Sequence, residues 1–162
     1  MFDRLRSLTV AIRLNEENNP VRRDVTAVVK RCPHVHKLCL DLPVVMLPDH
    51  LCRFSRNLMK LTLRRTSLED DPMSVLEKLP DLRILRLDED AFKGSKTICP
   101  RSRSLDIYHC DQLRALPDGL KDITCLSELE ISTGNNGNLK KRLSIGGEEF
   151  YKVEHVPLLR IF

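Results

Sequence analysis

The strongest constraint on this 162-residue chain is a short apolar phrase, L-x-x-L-x-L, that returns at a nearly fixed interval. It occurs at Leu5-Leu8-Val10, Val35-Leu38-Leu40, Leu58-Leu61-Leu63, Leu82-Leu85-Leu87 and Leu126-Leu129-Ile131. A sixth copy, Leu105-Ile107, has Ser102 where its first leucine belongs. Leucine supplies 27 of the 162 residues, and with Leu, Ile and Val at their combined abundance roughly three or four such triples would arise by chance. The spacing carries more weight. Successive starts lie 30, 23, 24, 20 and 24 residues apart.

Side chains two residues apart on an extended strand share a face, so Leu61 and Leu63 turn inward while Thr62 turns out. Leu58 enters the same core from the preceding bend. After each strand the chain must turn, and a side chain that bonds exposed backbone is favoured there. Cys110 holds that position in the fifth copy, with Leu113 at the next expected step. Thr66 and Asp90 hold it in the third and fourth copies. Arg13, Pro43 and Gly134 fit poorly, which predicts irregular turns in the remaining copies. The return segments carry helix signals. Asn19-Pro20 and Asp71-Pro72 are start signals. Val21, Val25, Val28 and Cys32 recur at helical spacing, as do Met73, Leu76 and Leu79 before Pro80. Leu47-Pro48 opens a turn carrying Leu51 and Phe54, and Leu116-Pro117 one carrying Leu120 and Ile123.

A strand-turn-helix unit of this size cannot bury its apolar face alone and stacks on its neighbours. The period matches a leucine-rich-repeat solenoid of the α/β class, with about six repeats. A curved parallel β-sheet is expected on the concave face, with helices and short helical turns on the convex face. Residues 1–138 form the repeats, irregular or compressed near 99–104. Residues 139–162 read as a C-terminal tail whose Phe150, Val153, Val156 and Leu159 cap the last repeat.

Composition removes several function classes. The chain has 27 basic and 23 acidic residues, well mixed, and lacks the dense basic stripe of a nucleic-acid binder. No apolar run reaches the ~20 residues needed to cross a bilayer, and Met1-Phe2-Asp3-Arg4 does not open a secretory signal. Cys32, Cys39, Cys52, Cys99, Cys110 and Cys125 form no CxxC pair, which argues against zinc and for reduced thiols in the cytoplasm.

The stretches SLEDDPMSVLEKLPDLRILRLDEDAFKGSKTICP, LDIYHCDQLRALPDGLKDITCLSELEI and GGEEFYKVEHVP resemble the C-terminal repeats of plant disease-resistance proteins, the coiled-coil, nucleotide-binding, leucine-rich-repeat immune receptors. The resemblance is best from about Leu47 to Pro157. The LPDGL turn and the EEFYKVEHVP tail are its more specific parts. It implies a repeat region that recognises a pathogen effector or a guarded host protein and restrains a nucleotide-binding switch. Such receptors carry that switch upstream, whereas this chain has no G-x-x-x-x-G-K-[ST] loop. No cofactor is therefore expected in this chain, and ADP or ATP would belong to an upstream nucleotide-binding domain. The incomplete N-terminal cap points to a fragment or a shortened product. The compression between Pro100 and Leu105 points to a deletion or splice junction near Cys99 to Ser104. The alternative is a stand-alone adaptor or decoy module with the same repeats.

The outward strand positions are the candidate partner-binding surface: Arg6, Lys37, Lys60, Thr62, Arg64, Arg86, Asp106, Tyr108, Glu128 and Glu130. They run from basic in the early copies to acidic in the last two, a polarity that orients a protein partner. Thr9, Cys39, Ile84 and Ser104 lie among them. His34, His36, His50, His109 and His155 lack companions at metal-ligand spacing and read as surface residues. His109 beside Cys110 is better explained by the repeat turn than by a nucleophile and base. Gly134-Asn135-Asn136-Gly137-Asn138 reads as a flexible turn, Lys140-Lys141-Arg142 as a solvated basic turn, and Gly146-Gly147 as too short for a phosphate loop. No nucleophile, base and orienting group come together, so no enzyme is expected.

Overall fold

The computed structural model describes residues 4–11, 25–44, 47, 51–66, 68, 73–76, 78–89, 91, 103–109, 115–116, 118–134 and 137–162. Seven strands alternate with short helices: β1 (Ser7–Ala11), α1 (Thr26–Lys30), β2 (Lys37–Asp41), α2 (Leu51–Phe54), β3 (Lys60–Arg64), α3 (Met73–Leu76), β4 (Ile84–Asp88), β5 (Ser104–Tyr108), β6 (Glu128–Ile131), α4 (Gly137–Leu143) and β7 (Leu158–Ile161). Two 3₁₀ turns, Asp118–Asp122 and Phe150–Lys152, complete the return segments. All strands are parallel and the sheet order is the sequence order, β1 to β7. This is the solenoid sheet that the leucine spacing predicts.

The register explains the leucines. Leu8, Leu38, Leu61, Leu85, Leu105, Leu129 and Leu159 form one inward column. Val10, Leu40, Leu63, Leu87, Ile107, Ile131 and Ile161 form a second. From Leu38 to Leu129, and from Leu40 to Ile131, every member is buried. The first leucines of the phrase, at Val35, Leu58, Leu82 and Leu126, are buried behind them. Each such side chain contributes roughly 1.5–3 kcal/mol when fully removed from water. The return segments supply the back of the core through Val25, Val29, Cys32, Leu51, Val75, Leu76 and Leu79. In α1 the buried stripe is Val25, Val29 and Cys32, and Val28 is 41% exposed, so the helix presents Val29 where the periodicity suggested Val28. Leu116, Leu120 and Ile123 fill the corresponding place in the fifth repeat, as expected of that turn.

The sheet runs one strand beyond the about six expected. The tail supplies Val156, Leu159 and Ile161, a seventh copy of the phrase that begins 30 residues after Leu126. Val156 is buried, and β7 lies beside β6 in register. Phe150 and Val153 pack on the core as the amphipathic reading predicted. Two tail segments differ from expectation. Gly137 and Asn138 begin α4, and Lys140-Lys141-Arg142 lie within that helix, because Leu139 and Leu143 anchor it on the core. After it the backbone turns tightly: Gly146 has a φ of +83°, and a Cβ on Gly147 would meet the Arg142 carbonyl oxygen at 2.3 Å. Gly146-Gly147 is thus a steric requirement of this turn.

The start signals at Asn19-Pro20 and Asp71-Pro72, and Val21, Arg13, His50, Asp90, Cys99, Cys110 and Leu113, lie outside the described residues, as do 92–102. On either side of that compressed segment β4 pairs directly with β5, so the sheet is continuous across it.

Candidate protein-binding surface

Outward side chains of a parallel sheet line up across strands, so register converts each repeat position into a row. The middle row is Thr9, Cys39, Thr62, Arg86, Asp106, Glu130 and Arg160. The row nearer the strand starts is Ser7, Lys37, Lys60, Ile84, Ser104, Glu128 and Leu158. The row at the strand ends runs Ala11, Asp41, Arg64, Asp88 and Tyr108. Lys37, Lys60, Thr62, Arg64, Arg86, Asp106, Tyr108, Glu128 and Glu130 all stand on this face. Arg6 does not: Ser7 holds the register with Lys37, and Arg6 precedes the strand, its guanidinium 3.1 Å from His36 Nε2. The first copy begins its strand two residues after Leu5, as the later copies do after Val35 and Leu58.

The basic-to-acidic polarity is present in the middle row, but β7 closes it with Arg160, 3.4 Å from Glu130. The centre of the face is knitted together. The Arg86 guanidinium lies 4.3 Å from the centre of the Tyr108 ring, a cation–π contact. Tyr108 donates its hydroxyl to Glu130. Burial and that carboxylate push the Tyr108 phenol up to about 12. Asp106 accepts from the Ser104 hydroxyl at 3.3 Å. Burial raises the Asp106 carboxyl above its ordinary range, against the opposing pull of Ser104, Lys60 and Arg86. Burial, with Asp41 beside it, also pushes the Cys39 thiol up. Tyr108 and Cys39 are thus moved away from nucleophilic reactivity.

Beyond the strand ends lies a rim that the sequence reading missed. Arg65, Glu89 and His109 follow β3, β4 and β5 at the same position and are all left-handed, with φ of 51°, 44° and 48°. That conformation costs a non-glycine residue roughly 1–2 kcal/mol. It turns the amide toward the next repeat: Arg65 N–H donates to Glu89 O at 3.0 Å, and Glu89 N–H to Tyr108 O at 3.2 Å. Side chains reinforce the step. Arg65 donates to Asp41 at 2.6 Å, Arg64 pairs with Glu89, and His109 Nδ1 lies 3.1 Å from Asp88. The hydrogen bond from Arg64 holds the Glu89 carboxyl below its usual range. Carrying the repeat alignment two residues past the third leucine would have exposed these positions, because Arg64-Arg65, Asp88-Glu89 and Tyr108-His109 recur at the repeat period. Next to them Thr66, fully buried, donates its hydroxyl to Ala91 O at 2.9 Å, the turn role expected of it. Thr133 donates likewise to Phe162 O at 2.7 Å, one residue before the poorly fitting Gly134.

A second charged cluster holds the tail to the fifth repeat. Glu149 is 4% exposed and accepts the Leu116 N–H at 2.9 Å while pairing with Arg142. Lys152 is 5% exposed; its ammonium donates to Leu116 O at 2.7 Å and lies 3.0 Å from Asp118 and 3.5 Å from Glu149. Burial disfavours that ammonium, but Asp118 and Glu149 outweigh it and raise the Lys152 pKa. The hydrogen bond from Lys152 lowers the Asp118 pKa. The LPDGL turn and the EEFYKVEHVP tail are therefore two halves of one clamp. Glu149 and Lys152 stand on either side of the core-packing Phe150 in a tail that also carries Glu148 and Glu154, so nothing in the sequence singled them out.

The chain is 36% identical over 97% of its length to the disease resistance protein At1g50180 of Arabidopsis thaliana. It is 33% identical over 84% of its length to At1g59620, and 35% identical over 76% to the disease resistance protein RPP8, both from the same plant. The chain spans 20%, 19% and 17% of those curated relatives. No family model matches it. No solved structure matches it.

Proposed function

We propose that this chain, a leucine-rich-repeat homologue of plant disease resistance proteins, acts as the protein-interaction region of an intracellular immune receptor. In this reading its concave face recognises a pathogen effector or a guarded host protein. The same repeats restrain the nucleotide-binding switch of the receptor they belong to. A ligand that binds the released arrangement more tightly than the restrained one then shifts the population toward signalling. The observation that carries the reading is the pair of unbroken outward rows, Lys37 to Glu128 and Cys39 to Arg160, set in register on a sheet of this family. A side chain on one strand then has a partner row rather than a single neighbour, which suits an extended protein contact. The chain itself performs no reaction and holds no cofactor in this proposal; ADP or ATP belongs to the nucleotide-binding domain. A cytoplasmic setting follows from that role. Among the described residues no helix is long and apolar enough to cross a membrane.

Co-immunoprecipitation with the nucleotide-binding domain of the same receptor, and with candidate effectors, tests this. Reversal of Lys37, Lys60, Arg64 and Arg86 together to Glu is expected to abolish at least one of these associations. Retention of every association by the folded variant rejects the concave face as the recognition surface.

A further inference from the structure

At the strand starts the backbone forms a second rim. The Arg6 carbonyl accepts the N–H groups of His36 and Lys37, the His36 carbonyl those of Met59 and Lys60, and the Met59 carbonyl those of Arg83 and Ile84. The Arg83 carbonyl accepts those of Arg103 and Ser104 in turn. Neighbouring strands lie about 4.8 Å apart, so the rim from Arg6 to Arg103 is about 19 Å long. Arg83 and Arg103 are adjacent steps of the ladder and both are exposed. Lys37 and Lys60 are adjacent in the first outward row. Among the described residues none of these four cations has an acidic partner within ion-pair distance, although the opposite rim pairs its charges repeatedly. Between the two basic pairs sits an apolar step: Met59 is 37% exposed and Ile84 is half-buried. Farther along the row, Glu128 reverses the sign.

From this we infer a docking strip for an acidic protein segment that carries one apolar residue between its carboxylates. The apolar residue covers Met59 and Ile84, and acidic residues on either side meet Lys37 and Lys60, and Arg83 and Arg103. Glu128 repels a continuation of negative charge and so sets one end. From Lys37 to Arg103 is three strand steps, about 14 Å, which an extended segment of about five residues spans. The inference rests on the reading of these repeats as a protein-binding surface and specifies where on it, and to what chemistry, binding occurs. A protein segment fits better than nucleic acid. Among the described residues the strip offers no Phe, Tyr or Trp ring for base stacking, the His36 imidazole lies against Arg6, and the Tyr108 ring near the opposite rim is already covered by Arg86. Unpaired cations at this spacing also favour rapid, salt-sensitive capture.

Fluorescence anisotropy with the full 162-residue chain tests it, using a labelled Asp/Glu peptide with one central Leu, across a NaCl series. The expected result is salt-sensitive binding that R83E/R103E weakens by at least about tenfold. Arg65→Ala on the other rim leaves that binding within about twofold, and replacing the central Leu by Ser weakens it about threefold to tenfold. Both arginines are exposed and have no acidic partner among the described residues, so circular dichroism and the melting temperature of R83E/R103E should match the parent chain. Loss of binding only on Arg64 and Arg86 reversal overturns the strip and leaves the concave-face proposal standing. Equal binding of an oligothymidylate, or of the all-acidic peptide, overturns the specified partner in favour of general polyanion attraction. No binding of any acidic peptide overturns the inference, while the co-immunoprecipitation still judges the broader proposal on its own.

Discussion

At one end of its strands the sheet carries Arg64, Arg65, Glu89 and His109, which pair with one another or with Asp41 and Asp88. At the other end it carries Lys37, Lys60, Arg83 and Arg103, each without an acidic partner among the described residues. The same repeat period generates both rims, so spacing does not separate them. What separates them is the residue alternation along the stack. At the strand ends Asp41, Arg64 and Asp88 alternate in sign from strand to strand, and opposite charges meet between neighbouring repeats: Asp41 with Arg65, Arg64 with Glu89, and Asp88 with His109. At the strand starts like charges are neighbours, and Lys37 faces Lys60 across the ladder. The alternating rim ties neighbouring repeats together through its ion pairs; the like-charged rim makes none among the described residues. The tail clamp takes the first strategy to its limit by burying Glu149 and Lys152.

The largest expected effect breaks that limiting case. Glu149→Ala removes the carboxylate shared by Arg142, Lys152 and the buried Leu116 N–H; Arg142 keeps Glu148 and Lys152 keeps Asp118, but the N–H loses its acceptor, and the change is expected to cost about 2–3 kcal/mol, read by urea denaturation. Replacing Glu149 and Lys152 together by Met should recover a large part of that loss, because removing both partners of a buried pair removes their desolvation cost as well. A double variant no more stable than the single one would mean that the clamp holds the tail through Leu116 and Asp118 alone. Its effect should be confined to α4 and β7 in hydrogen exchange, since each repeat contacts only its neighbours.

A smaller change separates charge from backbone on the paired rim. His109→Gly gives up an exposed contact with Asp88 but relieves a left-handed φ of 48°, and is expected on balance to raise stability by about 0.5–1 kcal/mol by thermal denaturation. Arg65→Ala keeps the left-handed backbone but loses Asp41 and Glu89, and should lower stability by about 1 kcal/mol. Opposite signs at equivalent turn positions would show that the side-chain pairing, rather than the turn itself, favours the non-glycine residue at Arg65. Equal signs would remove the distinction between the two rims as far as stability is concerned.

The smallest effect concerns pH. The carboxyl of Asp106 is raised, so the folded state holds its proton more firmly than the unfolded chain. Asp106 therefore subtracts stability at neutral pH, and that loss fades as pH falls through its folded pKa toward the unfolded value. Glu89 is lowered and behaves in reverse: its contribution is present above the unfolded pKa and is lost as pH falls through the folded one. Asp106→Asn should thus melt slightly higher than the parent at neutral pH, with the difference closing in acid. Glu89→Gln should melt slightly lower at neutral pH, with its difference also closing in acid. Melting curves over a pH series distinguish the two signs.

Much of the fold was legible because burial of leucine at a fixed period has one economical solution in a stacked sheet. Leu58, Leu61 and Leu63 by their spacing alone specify an entry, a strand and its inward face. Where periodicity carried less information, errors followed. Val28 and Val29 are adjacent valines of equal hydropathy, and only packing selects which one faces the sheet. Arg6 was placed one residue early because Leu5 and Leu8 fix the core columns without fixing where the outward row starts. The seventh copy, Val156-Leu159-Ile161, was readable but lay within a segment whose apolar residues also suit a cap.

The sequence by itself determined the repeat, the inward leucine columns, the parallel order of the strands and the kinship with disease resistance proteins, because these depend on spacing and local chemistry. Only the tertiary structure decided which charges meet. Arg65 and Asp41 are 24 residues apart, and Lys152 and Leu116 are 36 apart. Such pairs depend on how far and in which direction side chains reach from the turns between aligned repeats, which the leucine spacing, though it fixes the register, does not specify.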